Sequence, residues 1–263
     1  MTTTTPALTV PELGEVPVTV TQRGDGRPVL VLHGGAGPLS VGAWADDLAA
    51  ATGWRVLTPT HPGFGGTPRP EPLHTVTGLA AVYAALLESL DLTDVLVVGN
   101  SVGGWIAAEM ALLAPTRVSA SVVVDAVGLE LAGHPVADVF SLTPTELAER
   151  SWYAPEGRAL DVTALPAAQQ QVVAANMATL AVYGGPTMTD ASLGARLATV
   201  TVPVLVVWGE ADRVVDVEVG RAYAAAIPHA EFVLVERAGH LPQLEQPAAL
   251  TAAVRAFAAT VAR

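Results

Sequence analysis

Short runs of hydrophobic residues, many of them β-branched, alternate along the chain with longer segments that are rich in Ala and Leu. A continuous apolar run of about four to eight residues is typical of a strand that is buried on both faces, and the longer segments have the length of helices. Such alternation indicates a mostly parallel sheet that is covered by helices on both faces. The pattern therefore predicts an α/β fold.

The apolar runs predict strands at residues 16–22, 28–32, 54–58, 94–98, 118–124, 202–208 and 231–236. The segments between them predict helices near residues 75–90, 102–114, 216–227 and 246–261. The first two strands flank a turn-rich segment, residues 23–27, which predicts that they form an antiparallel hairpin. The Thr residues at positions 2–5 are expected to form a frayed end.

The alternation of strands and helices breaks once, between residues 128 and 200. Helices are predicted there at 143–152, 166–183 and 191–199, but no good strand is found. A single crossover in a fold of this class does not need roughly 70 residues. We therefore expect a core domain made of residues 1–127 and 201–263, with residues 128–200 inserted as a helical cap.

The clearest candidate for chemistry is the segment Gly-Asn-Ser-Val-Gly at residues 99–103. It follows an apolar strand and precedes a helical segment, which is the context that the motif G-x-S-x-G requires. A sharp strand-to-helix turn lifts the Ser hydroxyl above the sheet, and small flanking residues prevent a clash of the turned backbone. Ser101 is the predicted nucleophile; the alternative is a plain glycine-rich turn.

A second glycine-rich loop, His-Gly-Gly-Ala-Gly-Pro at residues 33–38, directly follows the strand at 28–32. A tetrahedral intermediate needs two backbone N–H groups that point at its oxyanion, and glycine permits the close approach. The predicted donors are Gly35 and Val102, the residue after the nucleophile. The alternative for this loop is a tight turn with a buried His33.

Two further residues lie in loops that follow strands near the C-terminus, His240 and Asp212. His240 is predicted to act as general base and acid, and Asp212 to orient its imidazole. The order Ser101, Asp212, His240 along the chain is the nucleophile–acid–base order that accompanies the G-x-S-x-G turn. Asp125, after the strand at 118–124, is an alternative position for the acid. The remaining histidines, among them His74, His134 and His229, have weaker settings.

These motifs resemble those of the α/β-hydrolase superfamily over the whole chain except the cap, through residues 33–35, 58–65, 99–104, 209–212 and 239–240. The sequence of the turn at residues 99–104, the nucleophile elbow, is similar to that of carbon–carbon bond hydrolases that act on meta-cleavage products. Two positions depart from that narrower group. Leu241 follows the histidine where those enzymes usually have Trp, and the first loop lacks their Ser.

The predicted reaction follows from the nucleophile. The resemblance implies that dehalogenases and epoxide hydrolases use Asp at the elbow, whereas Ser101 implies an acyl-enzyme. Hydrolysis of a small to medium, uncharged, apolar carboxylic ester is therefore expected. Arg150 and Arg158 could anchor a carboxylate, although arginines of a cap are mostly solvated. The predicted apolar walls of the pocket are Trp105, Trp152, Tyr153, Met177 and Tyr183.

Composition excludes several other classes. The 263-residue chain carries a net charge of −12 and its thirteen basic residues are all Arg, which disfavours nucleic acid and anionic membrane surfaces as partners. The lack of Lys excludes a P-loop and Schiff-base chemistry, and the lack of Cys excludes disulfides, thiolate nucleophiles and Cys-bound zinc. No cofactor or metal is expected. No signal peptide or membrane span is recognised, so a cytoplasmic location is predicted.

Three alternatives remain open at this point. A carbon–carbon bond hydrolase would use the same catalytic triad, Ser101, Asp212 and His240, on a dienoate. A cofactor-free peroxidase or an acyltransferase would share the residues but use another acceptor than water. A slow or inactive hydrolase-like ligand receptor would retain the fold, although a complete triad disfavours it.

Overall fold

The structure is a computed structural model in which residues 1–113 and 116–261 are described. Twelve strands occur in these residues: β1 Thr2–Thr4, β2 Ala7–Val10, β3 Gly14–Pro17, β4 Val20–Arg23, β5 Pro28–Leu32, β6 Arg55–Pro59, β7 Val95–Asn100, β8 Val118–Val124, β9 Gly128–Leu129, β10 Thr189–Asp190, β11 Val204–Gly209 and β12 Glu231–Val235. Eight of them form one sheet in the order β1-β4-β6-β5-β7-β8-β11-β12. Within it β4 runs antiparallel to both of its neighbours, and the remaining pairs are parallel.

Nine α-helices connect these strands: α1 Leu39–Thr52, α2 Val76–Ser89, α3 Val102–Leu113, α4 Pro144–Ser151, α5 Ala167–Gly184, α6 Leu193–Leu197, α7 Val217–Ala226, α8 Pro242–Glu245 and α9 Pro247–Thr260, all within the described residues. A 3₁₀ turn at Val162–Ala164 lies before α5. Helices α4, α5 and α6 fall in the segment that was predicted as a cap.

The central strands are buried on both faces. Along β5, Val29 and Val31 belong to one hydrophobic core, and Leu30 and Leu32 belong to the other. Because side chains alternate between the two faces of a strand, a continuous apolar run buries both. The first core includes residues of α1 and α9, and the second includes residues of α2, α3 and α7. The predicted α/β fold with helices on both faces is confirmed.

The predicted hairpin of the first two strands is wrong. The strand β4 pairs with β1 and β6, whereas β5 lies on the other side of β6. The connection between β4 and β5 crosses the beginning of β6, where Gly26 N donates to Gly53 O and Arg55 N donates to Arg27 O. These bonds place β6 between the two strands, which a turn-rich sequence alone does not reveal.

Other differences occur at the ends and in the cap. Thr2–Thr4, expected to be frayed, forms β1 and pairs with β4. The predicted strand at 16–22 is split into β3, which pairs with β2, and β4. Helix α1 was not predicted. The cap segment, for which no strand was predicted, contains β10, which pairs with β9.

The predicted helix 102–114 is α3, and Ala114 lies outside the described residues. No helix in the described part of the chain is long and apolar enough to cross a membrane.

Candidate active site

Ser101 lies at the turn between β7 and α3, where its backbone has a φ of 59°. This left-handed conformation is unusual for a residue other than glycine, and strain of this kind is typical of a nucleophile elbow. The turn is fixed by hydrogen bonds from Ser101 N to Val124 O at 2.9 Å and from Trp105 N to Ser101 O at 3.1 Å. The hydroxyl is therefore held above the carboxyl end of the sheet.

The flanking glycines are required by close backbone contacts. A Cβ at Gly99 would lie 1.9 Å from Gly103 O, and a Cβ at Gly103 would lie 2.3 Å from Leu32 O. Any side chain at either position would displace the turn. The glycines of the motif therefore serve the packing of the elbow.

The structure brings the three predicted residues of the triad together. His240 Nε2 lies 2.9 Å from Ser101 Oγ, and His240 Nδ1 lies 2.7 Å from Asp212 Oδ2. Ser101 is 8% exposed and His240 7% exposed, so the row of hydrogen bonds is shielded from bulk water. The arrangement allows His240 to take the proton of the Ser101 hydroxyl while Asp212 holds its ring.

Asp212 is fixed by its own loop. Its Oδ1 accepts hydrogen bonds from Val214 N at 2.8 Å and Val215 N at 3.0 Å, and its Oδ2 faces His240. The side chain is fully buried. The loop leaves the end of β11 at Gly209, whose carbonyl accepts from Asp212 N at 3.2 Å. Each carboxylate oxygen therefore has a separate task.

The loop that carries His240 is hydrogen-bonded to the end of α4 and to the segment that follows it. His240 N donates to Ser151 O at 2.8 Å. Glu245 accepts from Gly239 N at 2.6 Å with one oxygen and from Tyr153 N at 2.9 Å with the other. The segment after α4 and the histidine loop therefore form one bonded unit.

A buried pair of amide side chains supports the same loop from below. Asn100 Nδ2 donates to His240 O at 3.0 Å, and Gln243 Nε2 donates to Asn100 Oδ1 at 3.1 Å. The sequence prediction did not include Asn100, Gln243 or Glu245. Their only sequence signal is that they stand one to five residues from the nucleophile or the histidine.

Asp125, the alternative acid, is fully buried at the end of β8 and does not contact His240. Its Oδ1 accepts from Gly209 N at 2.8 Å, and its Oδ2 has no hydrogen-bond partner among the described residues. Burial, followed by the charge of nearby Asp212, raises the pKa of Asp125 well above its usual value. This shift favours the neutral form of Asp125, whose Oδ1 supports Gly209, the first residue of the Asp212 loop.

The predicted oxyanion loop lies directly against the nucleophile. A Cβ at Gly34 would be 3.0 Å from Ser101 Cβ. Val102 is the first residue of α3, so its N–H belongs to the helix turn whose donors have no partner within the helix. A Cβ at Gly35 would lie 2.6 Å from Leu180 Cδ2 of α5. Leu180 of α5 therefore packs against Gly35 and fills the space beside it.

His33 lies under this loop and is fully buried, as its alternative interpretation expected. Burial lowers the pKa of His33 to about 4. The unfolded chain, with a histidine pKa near 6.5, binds a proton that the folded protein excludes between pH 6.5 and 4. The contribution of His33 to stability is therefore fully present above pH 6.5 and is lost as the pH drops toward 4.

We expect this effect of His33 to lower the free energy of unfolding by on the order of 3 kcal/mol between pH 6.5 and pH 4. Urea unfolding measured at half-unit steps of pH checks it. In His33→Asn, the decline between pH 6.5 and 5 should be shallower than in the wild type, since the group that takes up the proton is missing. Parallel curves for the two proteins would contradict the expectation.

The five residues predicted as pocket walls have different settings. Trp105 packs in the core, where its ring lies against Gly128 and its Nε1 donates to Glu109 at 3.2 Å. Tyr153 is 41% exposed. Tyr183 is buried and donates to Pro62 O at 2.9 Å. Trp152 is half-buried beneath the guanidinium of Arg158, and Met177 is half-buried against the core.

Two arginines stand next to residues of the site in the sequence, Arg213 after Asp212 and Arg150 before Ser151. Arg150 and Arg213 bond each other's backbone on the surface side of α4. In the described part of the chain, no arginine side chain is hydrogen-bonded to Ser101, His240 or Asp212. No group of three or more metal-binding side chains occurs in residues 1–113 and 116–261.

Comparison with known proteins adds the family. A model of the alpha/beta hydrolase family matches residues 29–254. The 2-hydroxy-6-oxononadienedioate/2-hydroxy-6-oxononatrienedioate hydrolase of Cupriavidus pinatubonensis is 29% identical over an alignment of 265 positions. The alignment covers 89% of this chain and 88% of that protein.

Two solved structures are similar over nearly the whole chain. A thermophilic esterase from Thermogutta terrifontis has a TM-score of 0.74 at 23% identity, with 98% of this chain and 99% of that chain covered. A bromoperoxidase from Bacillus anthracis has a TM-score of 0.75 at 20% identity, with 97% and 99% covered. At these identities the structural likeness shows the fold alone.

Proposed function

The chain belongs to the α/β-hydrolase family, and we propose that it is a serine hydrolase that cleaves a small to medium, apolar carboxylic ester through an acyl-enzyme on Ser101. The observation that carries the proposal is the continuous row of hydrogen bonds from Ser101 through His240 to Asp212. A serine hydroxyl is a weak nucleophile at neutral pH, and a base at 2.9 Å is what activates it.

The proposed reaction has two steps. In the first, Ser101 Oγ attacks the ester carbonyl carbon as its proton passes to His240 Nε2, and His240 then gives that proton to the leaving alcohol oxygen. In the second, His240 removes a proton from water, which attacks the acyl carbon, and then returns it to Ser101 Oγ. The N–H groups of Gly35 and Val102 stabilise the oxyanion in both steps, and Asp212 keeps the imidazolium in place.

An uncharged substrate is favoured by the electrostatics. Asp212 contacts His240 directly, Glu245 bonds the residue before it, and no arginine is in contact with the triad among the described residues. A substrate carboxylate beside His240 would lie near these two acids. Leu180, which packs against Gly35, restricts the space for the acyl group, so short acyl chains are favoured over long ones.

Carbon–carbon bond hydrolysis is the second candidate, because the relative from Cupriavidus pinatubonensis carries a dienedioate hydrolase name. The same triad serves that reaction, and its substrate would be an anionic dienoate. The charge around His240 and the presence of Leu241 after it favour the ester. A small molecule is the partner in either case.

A panel of p-nitrophenyl esters of increasing acyl length, run beside one 2-hydroxy-6-oxo-dienoate, separates the two candidates. We expect kcat/KM to be highest for acyl chains of two to about six carbons and to fall at least about tenfold for longer chains, equivalent to about 1.4 kcal/mol of barrier. The dienoate should show no turnover. Preferred cleavage of the dienoate would replace the ester by the carbon–carbon bond as the substrate of the same triad.

A further inference from the structure

Three buried side chains form a hydrogen-bonded chain beneath the oxyanion loop. His33 follows β5, His61 follows β6, and Tyr83 belongs to α2. All three are 0% exposed. The two imidazole rings lie with their centroids 3.7 Å apart, and Tyr83 Oη is hydrogen-bonded to His61 Nδ1. The triad mechanism uses none of these side chains, although a buried polar network of this size needs every member to be satisfied.

The backbone fixes the tautomer of His33. His61 N donates to His33 Nε2 at 3.1 Å, so Nε2 carries no proton. Burial lowers the pKa of His33 to about 4, so the ring is neutral at pH 7 and its proton is on Nδ1. His33 Nδ1 therefore donates to Gly34 O, which lies 2.7 Å away.

The same reasoning fixes His61 and Tyr83. His61 Nε2 lies 2.8 Å from His33 O, and because a carbonyl oxygen only accepts, Nε2 carries the proton. Burial lowers the pKa of His61 well below its usual value, so this ring is neutral too. His61 Nδ1 is left as an acceptor. The Tyr83 hydroxyl must then be the donor to it.

The result is that two successive carbonyl groups of the loop, those of His33 and Gly34, are held by the two rings, and Gly34 O also accepts from Gly37 N at 3.1 Å. In a planar trans peptide the C=O and the following N–H point in opposite directions. Holding these carbonyls therefore turns the N–H groups of Gly34 and Gly35 toward the opposite side. Ser101 lies against this loop, since a Cβ at Gly34 would be 3.0 Å from Ser101 Cβ.

We infer that Tyr83 and His61 are positioning residues for the oxyanion hole. The Tyr83 hydroxyl holds the His61 ring with its Nε2 proton toward His33 O, and His61 together with His33 sets the peptide planes that present the Gly35 amide to the reacting carbonyl. The inference rests on the proposed serine hydrolase function. Removal of the Tyr83 hydroxyl is therefore expected to lower the catalytic rate, although this hydroxyl is not hydrogen-bonded to Ser101, His240 or Asp212.

The test compares Tyr83→Phe with Tyr223→Phe. Tyr223 is equally buried and also donates its hydroxyl to a backbone carbonyl, Val127 O at 2.6 Å, but it is not bonded to the oxyanion loop. Both variants leave a buried polar atom without its partner, so both should lose thermal stability. Only Tyr83→Phe should change catalysis, which separates positioning from a general loss of stability.

We expect Tyr83→Phe to lower kcat on p-nitrophenyl acetate about tenfold with KM within about twofold, less than the 10²–10³-fold cost of deleting an oxyanion donor. A trifluoromethyl ketone, which forms a tetrahedral oxyanion on the serine, should bind weaker by the same factor. Tyr223→Phe should match the wild type in kcat and in inhibitor affinity. The pH dependence of kcat/KM should be the same in all three proteins.

Equal kcat and equal inhibitor affinity in Tyr83→Phe and Tyr223→Phe would overturn the inference, even with a lower Tm. If Tyr83→Phe does not fold, a second pair decides. His61→Gln keeps an N–H that can reach His33 O, and His61→Asn does not, so Gln should retain more kcat than Asn; the reverse order would overturn the inference. A wild-type enzyme that reacts with neither ester nor fluorophosphonate would contradict the proposed function itself, and this inference with it.

Discussion

Ser101→Ala should abolish ester turnover, with a loss in kcat on the order of 10⁶-fold, the size of the effect when the nucleophile of a serine protease is removed. The alanine keeps the elbow but leaves His240 without a hydroxyl to activate. The residual rate would come from binding and from the oxyanion donors. Stopped assays on p-nitrophenyl acetate at high enzyme concentration measure the loss.

The same assignment predicts the chemistry of labelling. A fluorophosphonate should add once to the wild-type protein, at Ser101, because only a hydroxyl beside a base and an oxyanion hole attacks phosphorus readily. Intact mass and peptide mapping locate the adduct, and Ser101→Ala should remain unlabelled.

Ser121→Ala is the matched control. Ser121 is also fully buried, and its hydroxyl donates to Ala107 O at 3.1 Å, away from the triad. We expect it to lose about 1–3 kcal/mol of stability at most and to keep wild-type labelling. Ester turnover by Ser101→Ala at a rate near that of the wild type would remove Ser101 from the mechanism.

Sequence was sufficient where a residue type and its local context coincide. Ser101 stands in a motif that is visible in the sequence. The structure gives the steric reason for its glycines, because a side chain at Gly99 or Gly103 would meet backbone atoms. The parallel sheet was equally clear, since β5, β7 and β11 are apolar on both faces. Both features leave a local pattern in the sequence, although the contacts behind them join distant segments.

The features that sequence did not reveal depend on contacts between distant segments. The bond between Glu245 and Tyr153 N spans 92 residues, and the hydrogen bond from Asn100 to His240 O spans 140. Helix α1 was missed, and its buried face includes the polar Ser40 beside Trp44 and Leu48, so the face is not purely apolar. A buried polar residue shows in a sequence only as a polar residue, and its partner decides its role.

His61 illustrates the same limit. In the sequence it stands out only as one residue of the segment 58–65 that resembles the α/β-hydrolase superfamily. In the structure it is completely buried between His33 and Tyr83. Conversely, five aromatic or sulfur side chains are expected around the substrate, and two of them, Trp105 and Tyr183, belong to a hydrophobic core cluster. An apolar residue near a nucleophile has the same sequence signature in a core and in a pocket.

Asp212→Asn should lower kcat on the order of 10⁴-fold while the protein stays folded, the effect measured for the equivalent change in a serine protease. The structure supplies the reason. Asp212 Oδ1 accepts from two backbone N–H groups, at Val214 and Val215. An asparagine must place its carbonyl oxygen there, so its NH₂ group faces His240 Nδ1. That nitrogen must then accept, the proton moves to Nε2, and His240 can no longer take the proton of Ser101.

Asp125→Asn is the matched comparison, because it removes a carboxyl group of equal burial at the end of the neighbouring strand, β8. Burial and the charge of Asp212 raise the pKa of Asp125, which favours the neutral carboxylic acid, and the amide of asparagine is also uncharged and of similar shape. Its oxygen can still accept from Gly209 N. Because the folded protein holds a proton on Asp125 more tightly than the unfolded chain does, the contribution of Asp125 to stability falls as the pH rises above the unfolded pKa of about 3.9. The asparagine variant lacks this loss.

Activity of Asp125→Asn is therefore expected within about tenfold of the wild type, less than about 1.4 kcal/mol of barrier, with unfolding at pH 8 no easier than in the wild type. The pair should be assayed at one pH with fluorophosphonate titration of active sites, so that kcat refers to folded enzyme. If Asp125→Asn were nearly inactive and Asp212→Asn nearly normal, Asp125 would be the acid of the triad. The contact between Asp212 Oδ2 and His240 Nδ1 at 2.7 Å predicts the opposite order.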